Sequence, residues 1–223
     1  KKVINSGADF GIAVDPDVDR LAFMDENGIL FGEEYTLVAC ADYVLSIKKG
    51  NTVSNLSSTR ALRDVTEKYG GIYTSSAVGE VNVVEMMKKT NAIIGGEGNG
   101  GIILPDSHYG RDAIVGIVLF LSLLAEKKIS VSSLKSTYPL YFMTKKKIDL
   151  NSNIDLDGLL ATIEKKYENE SLNTIDGVKI DFQDSWVHLR KSNTEPIIRI
   201  YTEATSQDEA DVLANRFVTE LKA

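Results

Sequence analysis

The stretch that most limits what this chain can fold into is AIVGIVLFLSLLA, Ala113 to Ala125. Its thirteen residues carry no charge. A membrane-spanning helix needs about 20 apolar residues, so the run is too short to cross a bilayer. It is predicted to be a buried helix within RDAIVGIVLFLSLLAEKK, and burying it requires packed layers on several sides. The sequence before it supplies them. DFGIAV and LAFMD read as strands either side of an acidic run, with ENG as a turn. EEYTLVACADYVLSIKKG reads as a helix with acids in its first turn, lysines in its last and Gly50 as its stop. NTVSNL reads as a short strand. STRALRDVTEKYGG reads as a helix opening at Ser58 or Thr59 and ending at Gly70. GIYTSSA reads as a strand, GEVNVVEMMKK as a helix, and AIIGGEGNGGIIL as two apolar stubs around a glycine-rich turn. Such alternation predicts a layered α/β domain.

After about Lys128 the pattern changes. YPLYFMTKKKIDL reads as a strand, and DLDGLLATIEKKYE as a helix capped by Asp155 or Asp157. NTIDGVKIDF, SWVHLR and PIIRIYTEA read as three strands, with turns at Asp176–Gly177 and Ser192–Pro196. SQDEADVLANRFVTELKA reads as a capped amphipathic helix. The order β-α-β-β-β-α predicts a small α+β domain, with the boundary near Ser130–Tyr138. No sequence repeat or low-complexity tract interrupts either part.

The 223 residues suit one large domain or two small ones. A net charge of −7 argues against nonspecific nucleic-acid binding, which needs a basic face. The single Cys40 excludes an internal disulfide framework and a cysteine-based zinc site, and makes a reducing, cytoplasmic setting the default. KKVINSGADFG has no apolar signal-peptide region. It has no starting Met and runs straight into strand-like sequence, so the chain is expected to be a piece of a longer protein. No membrane or nucleic-acid partner is expected.

Three loops carry chemistry. The first is DPDVDR, with Asp15, Asp17 and Asp19 at alternate positions and Arg20 closing the run. On extended backbone such side chains share a face about 6–7 Å apart, and a turn stiffened by Pro16 brings them onto one ion. Hard carboxylate oxygens suit Mg²⁺; the bland alternative is a solvated hairpin tip. A calcium EF-hand would use Asp15, Asp17, Asp19 and Glu26, but its sixth position needs Gly and holds Arg20, and its flanks should be helices. The second loop is GGEGNGG, Gly95 to Gly101. If it is extended, Glu97 and Asn99 point the same way, and their acceptors and donors suit vicinal sugar hydroxyls; a plain glycine hairpin is the alternative. It lacks the dinucleotide pattern. The third is RKSNTEPIIR. Arg190 and Arg199 with Ser192, Asn193 and Thr194 suit a phosphate monoester, against a polar hairpin turn. Lys191 adds only diffuse charge.

Other polar residues have bland readings. His108 shows no partner in sequence, and His188 lies in a strand. Cys40 sits in a helix without a basic companion, which argues against a reactive thiol. Asp9, Trp186 and the lysine runs read as cap, core and solvated surface. SNLSSTR is either a helix cap or a loop bordering a pocket.

Taken together and in order, DPDVDR, GEGNG and RKSNTEP resemble the α-D-phosphohexomutase superfamily, whose loops read D-G/P-D-x-D-R, G-E-x-[SN]-G and R-x-S-N-T-x-P. The resemblance covers the whole chain. It implies the end of a second domain with the metal loop (1–30), a layered α/β third domain with a mixed sheet (31–134), and a fourth domain with an antiparallel sheet and two helices, TBP-like (135–223). It implies that a phosphoserine exchanges phosphate with hexose 1- and 6-phosphates through a bisphosphate. Asp15, Asp17 and Asp19 would then hold Mg²⁺, with Arg20 supporting. Glu97 and Asn99 would hold sugar hydroxyls, and Arg190, Ser192, Asn193, Thr194 and Arg199 the non-reacting phosphate. The family's serine loop, T-[AS]-S-H-N-P, is absent, so this chain alone is expected to be inactive and to depend on N-terminal domains. Many members end the sugar loop with His, where this chain has Gly101. SNL (Ser54–Leu56) and VGEVNV (Val78–Val83) lean toward phosphoglucosamine mutase, although the sugar loop does not match that branch's G-E-Q-S-G-H. Phosphomannomutase or phosphoglucomutase specificity and a non-catalytic phosphosugar-binding module are the alternatives.

Overall fold

The computed structural model describes residues 1–149, 156–192 and 195–222. The chain divides into two compact units, Lys1–Leu140 and Tyr141–Ala223.

The first unit opens with α1 (Lys2–Ser6) and an antiparallel hairpin of β1 (Gly11–Val14) and β2 (Leu21–Met24), which carries the acidic loop at its tip. Next come α2 (Glu33–Ile47), β3 (Asn51–Asn55), α3 (Ala61–Lys68), β4 (Tyr73–Ser76), α4 (Glu80–Thr90), β5 (Ala92–Glu97), β6 (Gly101–Ile103), α5 (Ala113–Lys127) and α6 (Val131–Lys135). The four-stranded sheet runs β4-β3-β5-β6 and is mixed, because β3 pairs parallel with β4 and β5 while β6 returns antiparallel. Val53 and Ile103 pack with Val83 and Met87 of α4 on one face. Ile102 faces α5, and a Cβ at Gly116 would sit 3.0 Å from its side chain.

The apolar run does form a helix, but only one face of it is buried: Ala113, Gly116, Leu119, Phe120 and Leu123 are inside, while Ile114, Val118 and Leu121 are exposed. Asp112 caps α5 by accepting the Val115 amide at 3.0 Å. Phe120 stacks on Phe23 of β2 and meets Phe31 edge-on. Through these rings the hairpin is anchored to the layered domain, although Ile12 and Val14 of β1 remain exposed. Helix α2 is buried nearly all round, Cys40 included. Its buried Asp42 accepts the Tyr69 and Tyr138 hydroxyls at 2.8 and 3.0 Å and meets Lys127 at 3.3 Å. That pairing lets a carboxylate sit inside without an orphaned charge.

Local readings needed correction. Helix α3 starts at Ala61, not at Ser58 or Thr59, and no side chain caps it from Arg60. Ser58 is drawn instead onto the glycine-rich turn. Helices α1 and α6 are too short to show a periodic apolar face in sequence.

The second unit holds β7 (Phe142–Asp149), α7 (Leu156–Lys166), β8 (Ser171–Asn173), β9 (Val178–Asp181), β10 (Trp186–Lys191), β11 (Ile197–Ala204) and α8 (Gln207–Glu220). Its sheet is antiparallel in the order β7-β11-β10-β9-β8. Ile163 and Tyr167 of the α7 side and Leu213 and Phe217 of α8 cover Ile180, Leu189 and Ile200 on one sheet face. NTIDGVKIDF is not one strand: the turn at Asp176–Gly177, where Gly177 has φ +73°, separates β8 from β9. Ser206 caps α8 by accepting the Glu209 amide. Of the expected α7 caps, Asp155 and the Asp157 side chain lie outside the described residues. No helix among the described residues is long and apolar enough to cross a membrane.

Candidate functional site

In the first unit the acidic loop folds back on itself. Asp15 Oδ1 accepts the amides of Asp19 and Arg20, each at 3.2 Å. Val18, between them, takes φ +56°, a conformation uncommon for a β-branched residue. Burial pulls the Asp15 carboxyl upward, but the Arg20 amide, the Asp19 side chain and amide, and the Arg20 guanidinium together hold it below its usual range.

The glycine-rich loop is a tight turn between β5 and β6 and docks on the hairpin. Leu21 donates its amide to Gly100 O at 3.1 Å. Gly100 has φ +86°, and a Cβ there would lie 2.1 Å from Leu21 O. Only glycine fits such an approach. Within this turn Glu97 and Asn99 find different partners. Glu97 is buried: Oε1 accepts Asn55 Nδ2 at 2.9 Å and the Gly79 amide at 3.3 Å. Asn99 Oδ1 accepts the Gly101 amide at 3.2 Å. Asn99, Asp15, Arg20 and Glu33 line one concavity of about 320 Å³.

The residue that joins the two loops is Arg111, which the motifs did not reveal. Its Nη1 donates to Glu97 Oε2 at 2.8 Å and its Nη2 to Asp19 Oδ2, while Nε lies 3.4 Å from Glu80 Oε2. Its amide also donates to Glu80 Oε1 at 2.9 Å. Its stem fills the space over Gly101, where a Cβ would come within 2.5 Å of Arg111 Cδ. So the glycine that stands where many phosphohexomutases have His makes room for this arginine. The available signal was electrostatic: a site rich in carboxylates needs a cation, and Arg111 stands just before α5.

One further residue frames the turn. Ser58 Oγ accepts the Gly98 amide at 3.0 Å and donates to Asn55 Oδ1 at 3.1 Å, so SNLSSTR borders the site. His108 has a partner after all, Asp112 Oδ2 at 2.9 Å from its Nε2, four residues on.

The donor chemistry of Asp15, Asp17 and Asp19 fits a hard cation, and a guanidinium already sits on Asp19. Among the described residues, however, no three acidic, His or Cys side chains converge as a ligand set. Asp15 is turned onto amides, Asp19 onto Arg111, and Asp17 is exposed. The flanks are strands, which disposes of the EF-hand.

In the second unit Arg190 and Arg199 stand directly opposite each other on β10 and β11. Arg199 Nη2 meets Glu195 Oε2 at 3.2 Å and Ser192 Oγ at 3.4 Å. Arg190 Nη1 lies 3.6 Å from Asp176 Oδ2. Ser192 is buried and donates its amide to Ile197 O at 3.0 Å, closing the turn. Asn193 and Thr194 lie outside the described residues. His188, between these arginines and Lys179, is buried; loss of water pushes its pKa down to about 4.

Residues 24–141 match the family model described as phosphoglucomutase/phosphomannomutase, alpha/beta/alpha domain III, and residues 148–220 match its C-terminal domain. The chain is 36% identical over 207 residues to a phosphoglucomutase/phosphomannomutase of Thermococcus kodakarensis, covering 92% of this chain and 45% of the relative. It is 35% identical over 222 residues to a phosphoglucosamine/phosphogalactosamine mutase of Sulfurisphaera tokodaii, covering 96% and 47%. The fold matches a phosphoglucomutase/phosphomannomutase family protein of Burkholderia thailandensis with a TM-score of 0.84 at 26% identity, over 99% of this chain and 48% of the other. This chain therefore spans about half the length of the relatives it matches. With its two acid-bearing loops bridged in one unit and its arginine pair in the other, the chain belongs to the phosphoglucomutase/phosphomannomutase family, the α-D-phosphohexomutases, and represents their C-terminal part.

Proposed function

We propose that this chain is the substrate-gripping half of a phosphohexomutase that interconverts hexose 1- and 6-phosphates by way of a phosphoserine and a bisphosphate. In this reading residues 1–30 end the second domain, 31–134 form the third and 135–223 the fourth. The carrying observation is the bridge from Asp19 through Arg111 to Glu97, which ties the acidic loop to the sugar loop. Asp15, Arg20 and Asn99 face one concavity beside it.

Phosphoryl transfer asks a protein mostly for position and charge neutralisation. Asp15, Asp17 and Asp19 would hold Mg²⁺, which when bound supplies positive charge next to a phosphoryl group. Arg20, half-exposed at the loop's end, positions phosphate or sugar oxygen. Asn99 meets a sugar hydroxyl from the concavity. Glu97 reaches one only by exchanging a present donor, which makes it a residue that fixes the turn as well as a sugar contact. Arg190, Ser192, Asn193, Thr194 and Arg199 grip the non-reacting phosphate, and this grip serves both substrate orientations. The setting is cytoplasmic, and the domain bearing the phosphoserine belongs to the same protein. The glucosamine phosphates are favoured as substrates by the names of several relatives, among them those of Sulfurisphaera tokodaii and Pyrococcus horikoshii.

The test is turnover of glucosamine, glucose and mannose 1-phosphates by the full-length protein and by this chain alone. The expected result is preference for glucosamine 1-phosphate and no turnover by the chain alone. Equal rates on all three sink the substrate preference, and turnover by the chain alone sinks the dependence on a separate serine domain.

A further inference from the structure

Arg111 offers one guanidinium to three carboxylates, those of Asp19, Glu97 and Glu80. A guanidinium carries five N–H donors, and each buried one needs a partner. Two of the contacts are hydrogen bonds, from Nη2 to Asp19 and from Nη1 to Glu97. The third is not. Arg111 Nε lies 3.4 Å from Glu80 Oε2, is shielded from solvent, and forms no hydrogen bond among the described residues. Leaving a buried donor unmade is destabilising. The grip on Asp19 thus coincides with a poor one on Glu80.

The three carboxylates differ in what holds them. Glu97 is buried and also accepts from Asn55 and Gly79. Glu80 also accepts the Arg111 amide. Asp19 belongs to the acidic loop, and the oxygen that Arg111 holds there is one that a divalent cation would need. A guanidinium and a doubly charged ion repel each other on the same oxygen, so the two compete for it. An Arg111 fixed permanently between the loops accounts for Nη1 and Nη2. It does not account for the stranded Nε.

We propose that Arg111 is a positioning residue that exchanges partners when the acidic loop takes a divalent cation: it gives up Asp19, keeps Glu97 and closes Nε onto Glu80. The inference rests on the reading of Asp15, Asp17 and Asp19 as Mg²⁺ ligands, and adds to it a residue outside all three loop motifs. Two carboxylates remain to Arg111 after the exchange, and the missing Nε bond is made. Asp19 is released as a ligand. Because the guanidinium stays on Glu97 throughout, cation binding at the acidic loop is felt at the sugar loop.

The experiment titrates the 223-residue chain with Mg²⁺ by calorimetry and follows the Arg111 Nε–H by nuclear magnetic resonance. Arg111→Lys keeps the charge but puts a compact ammonium in place of the fork. That ammonium stays with buried Glu97 and leaves Asp19 free. The variant is expected to bind Mg²⁺ about tenfold more tightly than the unaltered chain, since one charge-assisted hydrogen bond no longer has to be broken. Unchanged net charge removes long-range attraction as the cause, and damage to the fold would weaken binding instead. In the unaltered chain, Mg²⁺ is expected to slow exchange of the Nε–H with water as it closes on Glu80. Equal or weaker Mg²⁺ binding by Arg111→Lys with native circular dichroism overturns this proposal alone. Should that variant not fold, an Nε–H signal that Mg²⁺ leaves unchanged in the unaltered chain overturns it. Mg²⁺ binding by neither the unaltered chain nor folded Arg111→Lys overturns it together with the metal-loop reading.

Discussion

Arg111→Met removes a guanidinium that serves three carboxylates and keeps much of the stem that packs over Gly101. The cost is unevenly shared. Glu97 is the decisive partner, since its side chain is 6% exposed and cannot recover water. Stripping one member from a buried ion pair costs about 3–5 kcal/mol. Glu97 keeps its bonds from Asn55 and Gly79, which places the cost near the lower end. Asp19 and Glu80 are more open and add at most about 1 kcal/mol each. The expected loss is about 4 kcal/mol, or roughly 12 °C in the melting of the first unit at about 3 °C per kcal/mol. Calorimetry and far-ultraviolet circular dichroism in urea read it. Trp186 is the only tryptophan and lies in the second unit, so its fluorescence transition separates the two units. The double variant Arg111→Met/Glu97→Gln leaves no buried charge unpaired at Glu97 and should regain about 2 kcal/mol as a coupling energy. A single variant within about 0.5 kcal/mol of the parent, or strict additivity in the cycle, refutes the assignment of Arg111 as the cation of this site.

Three other outcomes follow from the same geometry. Gly100→Ala places a methyl against Leu21 O and strains φ +86°, so the first unit should lose more than about 1 kcal/mol by urea titration; an unchanged midpoint means the turn is not docked. His188 is neutral when folded, with a pKa near 4, and takes a proton near 6.5 when unfolded. Its contribution is therefore complete above pH 6.5 and declines as pH falls towards 4, by about 2 kcal/mol at pH 5, read from Trp186 fluorescence in urea. A flat profile between pH 7 and 5 argues against it. Burial pushes the Cys40 thiol far above its ordinary range, so a thiol reagent should modify it only at the rate at which the first unit opens. Immediate modification in native buffer contradicts the placement.

Much of the fold was legible because it rests on local periodicity. The uncharged run before Glu126 had to be a helix packed on a core, and GEVNVVEMMKK and EEYTLVACADYVLSI had the length of helices, although neither carries a side-chain cap. The apolar stub AII was visible as a strand, but β5 continues through Gly95 and Gly96 to Glu97, where the sequence had read a turn. What stayed hidden depends on distance in sequence. Arg111 meets Asp19 across ninety-two positions, and no spacing rule reaches that far. The bonds of Glu97 to Asn55, Gly79 and Arg111 join residues far apart in the chain, which the loop's own composition does not show. Ser58 resembled a cap because a hydroxyl before a helix usually is one.

The acidic loop has one more tie. Ala113, the first residue of α5, donates its amide to Val18 O at 3.1 Å. The loop tip is thus fastened to the start of α5. That single amide proton becomes a gauge. Its exchange with solvent requires the loop to lift, whereas the Val115 amide two residues on is held by Asp112 regardless of the loop. The difference in protection between these two positions measures the free energy of loop release. A ligand that needs the aspartates rearranged must draw on that same quantity.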